Sequence, residues 1–255
     1  MDINLYNAIS KRKSFHFFIN VGNASITNEE LKDIEEAYNS FTSLYPDIKT
    51  CIRIVDSSYI NRSLRGQEYS ILLYSENKEG YLQNIGYLGE QLDLYLVNHN
   101  IGSLWYGIGK TNEPTYNGLQ YVIMILIHKV NDVSKFRKDM YKSKRKDISE
   151  IWSGPYIEGI TNIVRFSPSA CNTQPWFVKN DNNDTLSIFR YKNPRKRGIM
   201  PIDKVSFYNR IDIGIFLSIL ELCLNKEGYF YTRELHQDNG TLEEYNLNAV
   251  YRINI

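Results

Sequence analysis

The 255-residue chain sets 30 Lys and Arg against 29 Asp and Glu, a formal net charge of +1, with 42% hydrophobic and 23% charged residues. So even a balance excludes a global field that would draw the chain to nucleic acid or to an anionic membrane, while the length suffices for one large domain or two small ones with a sizeable core. The longest apolar run, at 211–224, is interrupted by Asp212, Ser218 and Glu221, so it does not read as a membrane span, and the opening MDINLYNAISKRKSF has no signal-peptide pattern.

Residues 3–12 read as a helix with apolar Ile3, Leu5, Tyr6 and Ile9. A second helix is predicted over 28–44: Thr27 can cap it, Glu30 completes a capping box, and Leu31, Ile34, Ala37, Tyr38 and Phe41 form its stripe. Strands are predicted at 50–55 and 69–74, then a helix at 82–98 that Gly102 breaks, an apolar strand at 121–127, and a basic helix or arm at 132–146. The second half has a similar order: a helix at 147–165, strands at 176–179 and 186–191 joined by the polar turn Asp181-Asn182-Asn183-Asp184, a helix at 209–225 and a strand at 248–253. The last helix is apolar nearly all round and must be buried on several sides. Gly86-Tyr87-Leu88-Gly89 aligns with Ile211-Asp212-Ile213-Gly214. The repeated order implies a duplication, with two related α/β halves, 1–146 and 147–255, packed about a central pair of buried helices.

Three stretches carry chemistry. Ser167-Pro168-Ser169-Ala170-Cys171-Asn172-Thr173-Gln174-Pro175-Trp176 places hydroxyl and amide groups on a turn held by two prolines, where they can meet a planar polar ligand; the plain alternative is a helix-to-strand turn with Trp176 anchoring the core. Lys11-Arg12-Lys13-Ser14-Phe15-His16 ends the first helix and reads either as an anion-binding segment or as a solvated basic face. Ile101-Gly102-Ser103-Leu104-Trp105-Tyr106-Gly107 reads either as a loop at a ligand or as a helix end with a buried tryptophan. Gly109-Lys110-Thr111 is no phosphate-binding loop, because Leu104 stands where GxxxxGK[ST] needs glycine. Cys51, Cys171 and Cys223, odd in number and without CxxC spacing, predict free thiols in a reducing compartment, hence a cytoplasmic protein; no metal site is expected.

The segment SPSACNTQPW resembles the flavin-contacting segment of the nitroreductase family, a small residue, Pro-Ser, two variable residues, then Asn-x-Gln-Pro-Trp. Arg12 and Ser14 resemble that family's Arg-x-Ser-x-Arg/Lys motif, with His16 in place of the last cation. The 101–107 stretch is similar to its Gly-x-x-Trp-x-Gly loop, and Lys144-Arg145-Lys146 to its late basic segment. The resemblance implies an α+β, nitroreductase-like fold and a site for FMN. It implies that Arg12, Lys13, Ser14, Lys144 and Arg145 attend the phosphate and ribityl chain, with His16 at the pyrimidine edge. Trp105, Tyr106 and Gly107 are expected near the redox-active ring, with Asn172, Thr173, Trp176 and Tyr106 as walls; Pro168, Ser169, Ala170 and Asn172 contact the flavin from the other side, and Arg65 is a further contact. In that family two subunits share two sites. Here each motif occurs once, which implies a single-chain pseudo-dimer: a monomer with one composite site and one decayed site. The activity implied is NADH- or NADPH-driven, ping-pong reduction of nitroaromatic- or quinone-like acceptors. A non-catalytic flavin store or sensor is the alternative, and nucleic-acid binding by the basic 135–146 segment is disfavoured by the near-neutral charge.

Overall fold

The computed structural model describes residues 2–60, 65–182, 184–191, 197–241 and 245–254; Asn183 of the expected polar turn lies outside them. Along the chain run α1 (Tyr6–Lys11), α2 (Asn28–Ser40), β1 (Thr50–Asp56), β2 (Tyr69–Ser75), α3 (Tyr81–Asn98), β3 (Ile101–Trp105), β4 (Thr115–Tyr116), β5 (Leu119–Lys129), α4 (Ile148–Ile151), β6 (Trp152–Ser153), α5 (Thr161–Val164), β7 (Trp176–Asp181), β8 (Thr185–Tyr191), α6 (Ile202–Lys226), β9 (Phe230–Leu235) and β10 (Tyr245–Asn254). The strands form two sheets. One has the order β1-β2-β5-β3 with β4 on β5, and the other β6-β7-β8-β10-β9. All pairings are antiparallel except β6 with β7.

Local chemistry accounts for most of these limits. The Thr27 and Glu30 capping box starts α2, with Thr27 Oγ1 accepting from Glu30 N–H at 3.1 Å. The helix expected over 147–165 is instead two single turns around β6. Gly154 adopts φ +86 and lies so close to the Asn180 carbonyl that no side chain fits, and Pro155 follows it. The basic 132–146 stretch is an arm with two 3₁₀ turns, each begun by an aspartate (Asp132, Asp139) that accepts a backbone N–H two residues on. The 101–105 segment is a strand, and β9 was not legible as one because its residues alternate only between exposed and half-buried.

The helices α3 and α6 are buried along most of their length and pack on each other at the centre. Gly86 lies against the Ile211 carbonyl and Gly214 against the Gln83 carbonyl, too close in both places for a Cβ. The contacts are reciprocal: 83 and 211, like 86 and 214, are 128 positions apart (211 minus 83, 214 minus 86). Hence Gly214 corresponds to Gly86, one helical turn before the Gly89 that the sequence alignment paired with it. The same spacing relates the hydrogen bonds. Asp93 on α3 accepts from Ser103 Oγ and from Trp105 Nε1 (3.1 Å) on β3; Glu221 on α6 accepts from Tyr231 OH (2.9 Å) and Arg233 on β9. The two halves therefore relate by a pseudo-twofold at the helix crossing.

Candidate functional site

Arg12 lies at the C-terminal end of α1, its backbone N–H bonded to the Ala8 carbonyl, and the residue is 4% exposed. Nε donates to Asp93 Oδ2 at 2.8 Å and Nη1 to Ser14 Oγ at 3.2 Å, while Nη2 has no hydrogen-bond partner. Burial works against the guanidinium charge, but the attraction of Asp93 and Glu90 and the hydrogen bond to Asp93 together outweigh it, and the net shift is upward. Ser14 bridges in parallel to Ser103, and Phe15 N–H donates to the Ser103 carbonyl at 2.9 Å. One buried carboxylate, Asp93, thus ties the segment after α1 to both Ser103 and Trp105. The indole of Trp105 lies over Gly89, where any side chain would displace it. Glu90, next along α3, is fully buried, and burial, reinforced by Asp93, pushes its pKa well up against the opposing pull of Arg12 and Trp105.

The proline-bounded turn supplies the opposite wall. Cys171, Asn172 and Gln174 adopt φ of +51, +54 and +48, a region that costs a cysteine or glutamine of order 1 kcal/mol. Internal bonds hold them: Gln174 N–H donates to Ser169 Oγ (2.9 Å), Thr173 Oγ1 to the Ala170 carbonyl (3.0 Å), and Ala170 N–H to Asp212 Oδ1 on α6 (2.9 Å). The basic segment locks onto the turn, with Lys146 N–H donating to Gln174 Oε1 (2.9 Å) and Arg145 Nη1 to Asn172 Oδ1 (3.1 Å).

Between the walls lies a cavity of about 440 Å³, a volume suited to a cofactor or drug-sized ligand. Arg12, Ser14, His16, Arg65, Trp105, Tyr106 and Gly107 line it from the first half, and Pro168, Ser169 and Ala170 from the second. The guanidinium of Arg65 sits 5.6 Å from the Tyr106 ring centre. The structure does not bring Lys13, Lys144, Arg145, Asn172, Thr173 or Trp176 to this wall. Lys13 Nζ turns to the Lys135 carbonyl at 2.6 Å. Lys144 is exposed, and its carbonyl accepts from Asn172 Nδ2 at 3.2 Å, so the Asn172 amide braces the turn from behind. Trp176 is fully buried and stacks on Phe216 at 5.1 Å, as the core anchor of the plain alternative.

Arg145, outside the cavity wall, still feels the charge of Arg12. Burial, and then Arg137 and Arg12, push its pKa down to about 10; Arg137 is pushed to about 10 by burial and Arg12. Among the described residues neither forms a salt bridge, and Arg145 Nε has no partner. Three cations thus crowd together with bare donors, an arrangement that an anion relieves. Sequence reasoning missed Arg137, and also Tyr208, whose hydroxyl donates to the Gly107 carbonyl at 2.6 Å and joins the halves at the cavity. It missed Asp93 and Asp212 as well, although an acid within an apolar helix face was the available signal.

The pseudo-twofold counterpart of this cavity is lined by Thr42, Glu221, Tyr231 and Arg233. There Glu221 accepts from Tyr87, Tyr231 and Tyr251 hydroxyls and from Arg233. The Arg233 charge is thereby neutralised in place. Among the described residues no three His, Cys, Asp or Glu converge as a metal site, and no helix is long and apolar enough to cross a membrane.

The sequence profile of the family described as "Putative TM nitroreductase" matches residues 4–223. Among solved structures, a putative nitroreductase from Thermotoga maritima superposes with a TM-score of 0.60 at 18% identity, over 99% of this chain and 93% of that one. A putative nitroreductase from Desulfovibrio desulfuricans, solved in complex with FMN, matches 62% of this chain and 100% of its own at 13% identity and a TM-score of 0.44. A nitroreductase family protein from Clostridium novyi NT matches 55% of this chain and 89% of its own at 19% identity and a TM-score of 0.38. Among curated proteins none matches the chain.

Proposed function

The chain belongs to the family of putative TM nitroreductases, with an α+β nitroreductase-like fold, and on that premise we propose that it is an FMN-dependent oxidoreductase that uses NADH or NADPH to reduce nitroaromatic- or quinone-like acceptors. The observation that carries this reading is the single cavity in which Arg12, Ser14 and Trp105 of one half face Pro168, Ser169 and Ala170 of the other. The residues present fit the cofactor. Arg12 Nη2 and Arg145 Nε are buried donors without partners, and Arg137 and Arg145 lie near enough to Arg12 for its charge to push their pKa values down.

Arg12, Arg137 and Arg145 would hold the phosphate, and Ser14 the chain beside it. Trp105, Tyr106 and Gly107 would meet the ring from one half and Pro168, Ser169 and Ala170 from the other, with Arg65 and His16 at the open side. When bound, FMN supplies the hydride chemistry. The chain's own part is to orient and to exclude water: Leu104, Ile123, Met200, Ile211 and Ile215 make much of the wall apolar. The acceptor is a small molecule that enters from the same opening, and a monomer suffices because both walls come from one chain. Nucleic acid is not the expected partner of the 132–146 arm, because the chain as a whole is close to neutral.

A flavin store or sensor without turnover is the second reading. It is favoured by His16, a titratable group where the family pattern carries a permanent cation. Steady-state oxidation of NADH and NADPH with a quinone acceptor separates the two. Turnover that requires added or bound FMN supports the oxidoreductase, and bound FMN without turnover supports the store.

A further inference from the structure

Asp212 stands in the cavity wall, 2% exposed, within α6. Its Oδ1 accepts the Ala170 N–H at 2.9 Å, and its Oδ2 has no partner. The pseudo-twofold mate is Asn84 on α3, again 128 positions away (212 minus 84). Asn84 does the same work in the other half: its Oδ1 accepts from Ser43 Oγ (2.8 Å) and from the N–H groups of Leu44 (3.0 Å) and Tyr45 (3.0 Å), while its Nδ2 is bare. An amide is therefore enough to clamp the turn. In the half that builds the cavity wall the clamp is instead a group that can gain or lose a proton.

We propose that Asp212 is a proton-dependent positioning residue for the flavin-contacting turn. In its neutral form it holds Ala170 and leaves the wall uncharged, and its ionisation weakens ligand binding in the cavity. The inference rests on the flavin reading above. The neutral carboxyl is isosteric with the Asn84 amide, with an O–H where the mate has N–H. Ionised, it still accepts from Ala170, but the second oxygen becomes a buried charge with no donor. That state is relieved by admitting water to the wall, in the space an apolar ring would fill.

Burial lifts the Asp212 carboxyl from 3.8 to about 8, against the opposing Ala170 hydrogen bond. Arg12, His16, Arg65 and Lys110 from the first half, and Lys204 on α6 itself, line the same cavity. Tyr208 on its own helix, Cys171 on the turn and Tyr87 on α3 are the other ionisable groups nearby. None of these contributes to the shift on Asp212. All are common to wild type and Asp212→Asn, so comparing the two isolates Asp212.

The test is FMN affinity, followed by fluorescence quenching from pH 7 to 9, for wild type and D212N. The variant keeps an oxygen for Ala170 and cannot ionise. If only the neutral form binds, the wild-type Kd rises about tenfold over that range while the D212N profile stays flat. Parallel profiles overturn the proposal. A wild-type minus D212N infrared difference spectrum, taken without flavin, reads the carboxyl directly. A protonated-acid band present at pH 6.5 and lost by pH 9.5 is expected, and its absence at pH 6.5 also overturns the proposal. Failure of both proteins to bind FMN at pH 7 overturns the flavin reading, while the infrared band still decides whether Asp212 is neutral.

Discussion

Arg12 uses two of its three guanidinium nitrogens to tie the protein together and leaves the third bare. Its replacement would strand Asp93, so loss of binding and loss of stability would be mixed in Arg12→Ala. Arg137 gives the cleaner test, because it carries charge to the same place without a salt bridge. Arg137→Ala is expected to weaken FMN binding roughly ten- to a hundredfold, the value of one charged hydrogen bond of about 1.5–3 kcal/mol. Its melting temperature should hold or rise slightly, since repulsion from Arg12 and Arg145 is removed. Titration calorimetry and thermal melts check both. Asp212 makes a second prediction, for stability. Its pKa is 3.8 unfolded and about 8 folded, so the folded state holds a proton that the unfolded chain has lost throughout that window. Stability therefore falls from about pH 4 to pH 8 and levels off above. D212N escapes this, and its melting temperature relative to wild type should climb from pH 5 to pH 8. A constant difference across that range would contradict the assignment. At this scale the residues legible in the sequence were those that a contiguous motif brings together: Arg12, Ser14, Trp105 and the Pro168-Ser169-Ala170 turn. Arg137 and Tyr208 reach the site only through tertiary packing and no local pattern marks them, while Asp93 and Asp212 showed only as acids within apolar helix faces, a signal that does not say what they hold. Asn172 lay in the motif yet braces the turn from behind, because its neighbours at 144–145 claim its amide.

At the scale of elements, the crossing of α3 and α6 depends on Gly86 and Gly214 having no side chain. Gly214→Ala would drive a methyl into the Gln83 carbonyl, and a backbone cannot rotate out of the way. A loss of about 1–3 kcal/mol is expected, seen as a fall in melting temperature of about 2–4 °C per kcal/mol in a chain of this size. FMN affinity should fall with it, since Asp212 and Tyr208 ride on the same helix. Long periodic elements were legible: both central helices, and the strands at 50–56, 69–75 and 185–191. The 147–165 helix was not found, because Gly154 and Pro155 break a pattern whose apolar residues still fall at helical spacing. The alignment of the two central helices slipped by one turn, since several glycines and leucines recur on each and only the tertiary contact fixes the register.

At the scale of the molecule, two halves with matching helix and carboxylate geometry have diverged at their sites. One has Asp93 holding Arg12 with a donor to spare, facing a proline-bounded turn. The other has Glu221 surrounded by Tyr87, Tyr231, Tyr251 and Arg233, with its own cation neutralised. Ligand binding is therefore expected in the first cavity alone. The measurement that tests this most directly is the stoichiometry of FMN, from the absorbance spectrum of the purified protein completed by titration to saturation. One flavin per chain is predicted. Two per chain would show that the Glu221 cavity is also competent, and no binding at micromolar FMN would contradict the flavin assignment itself.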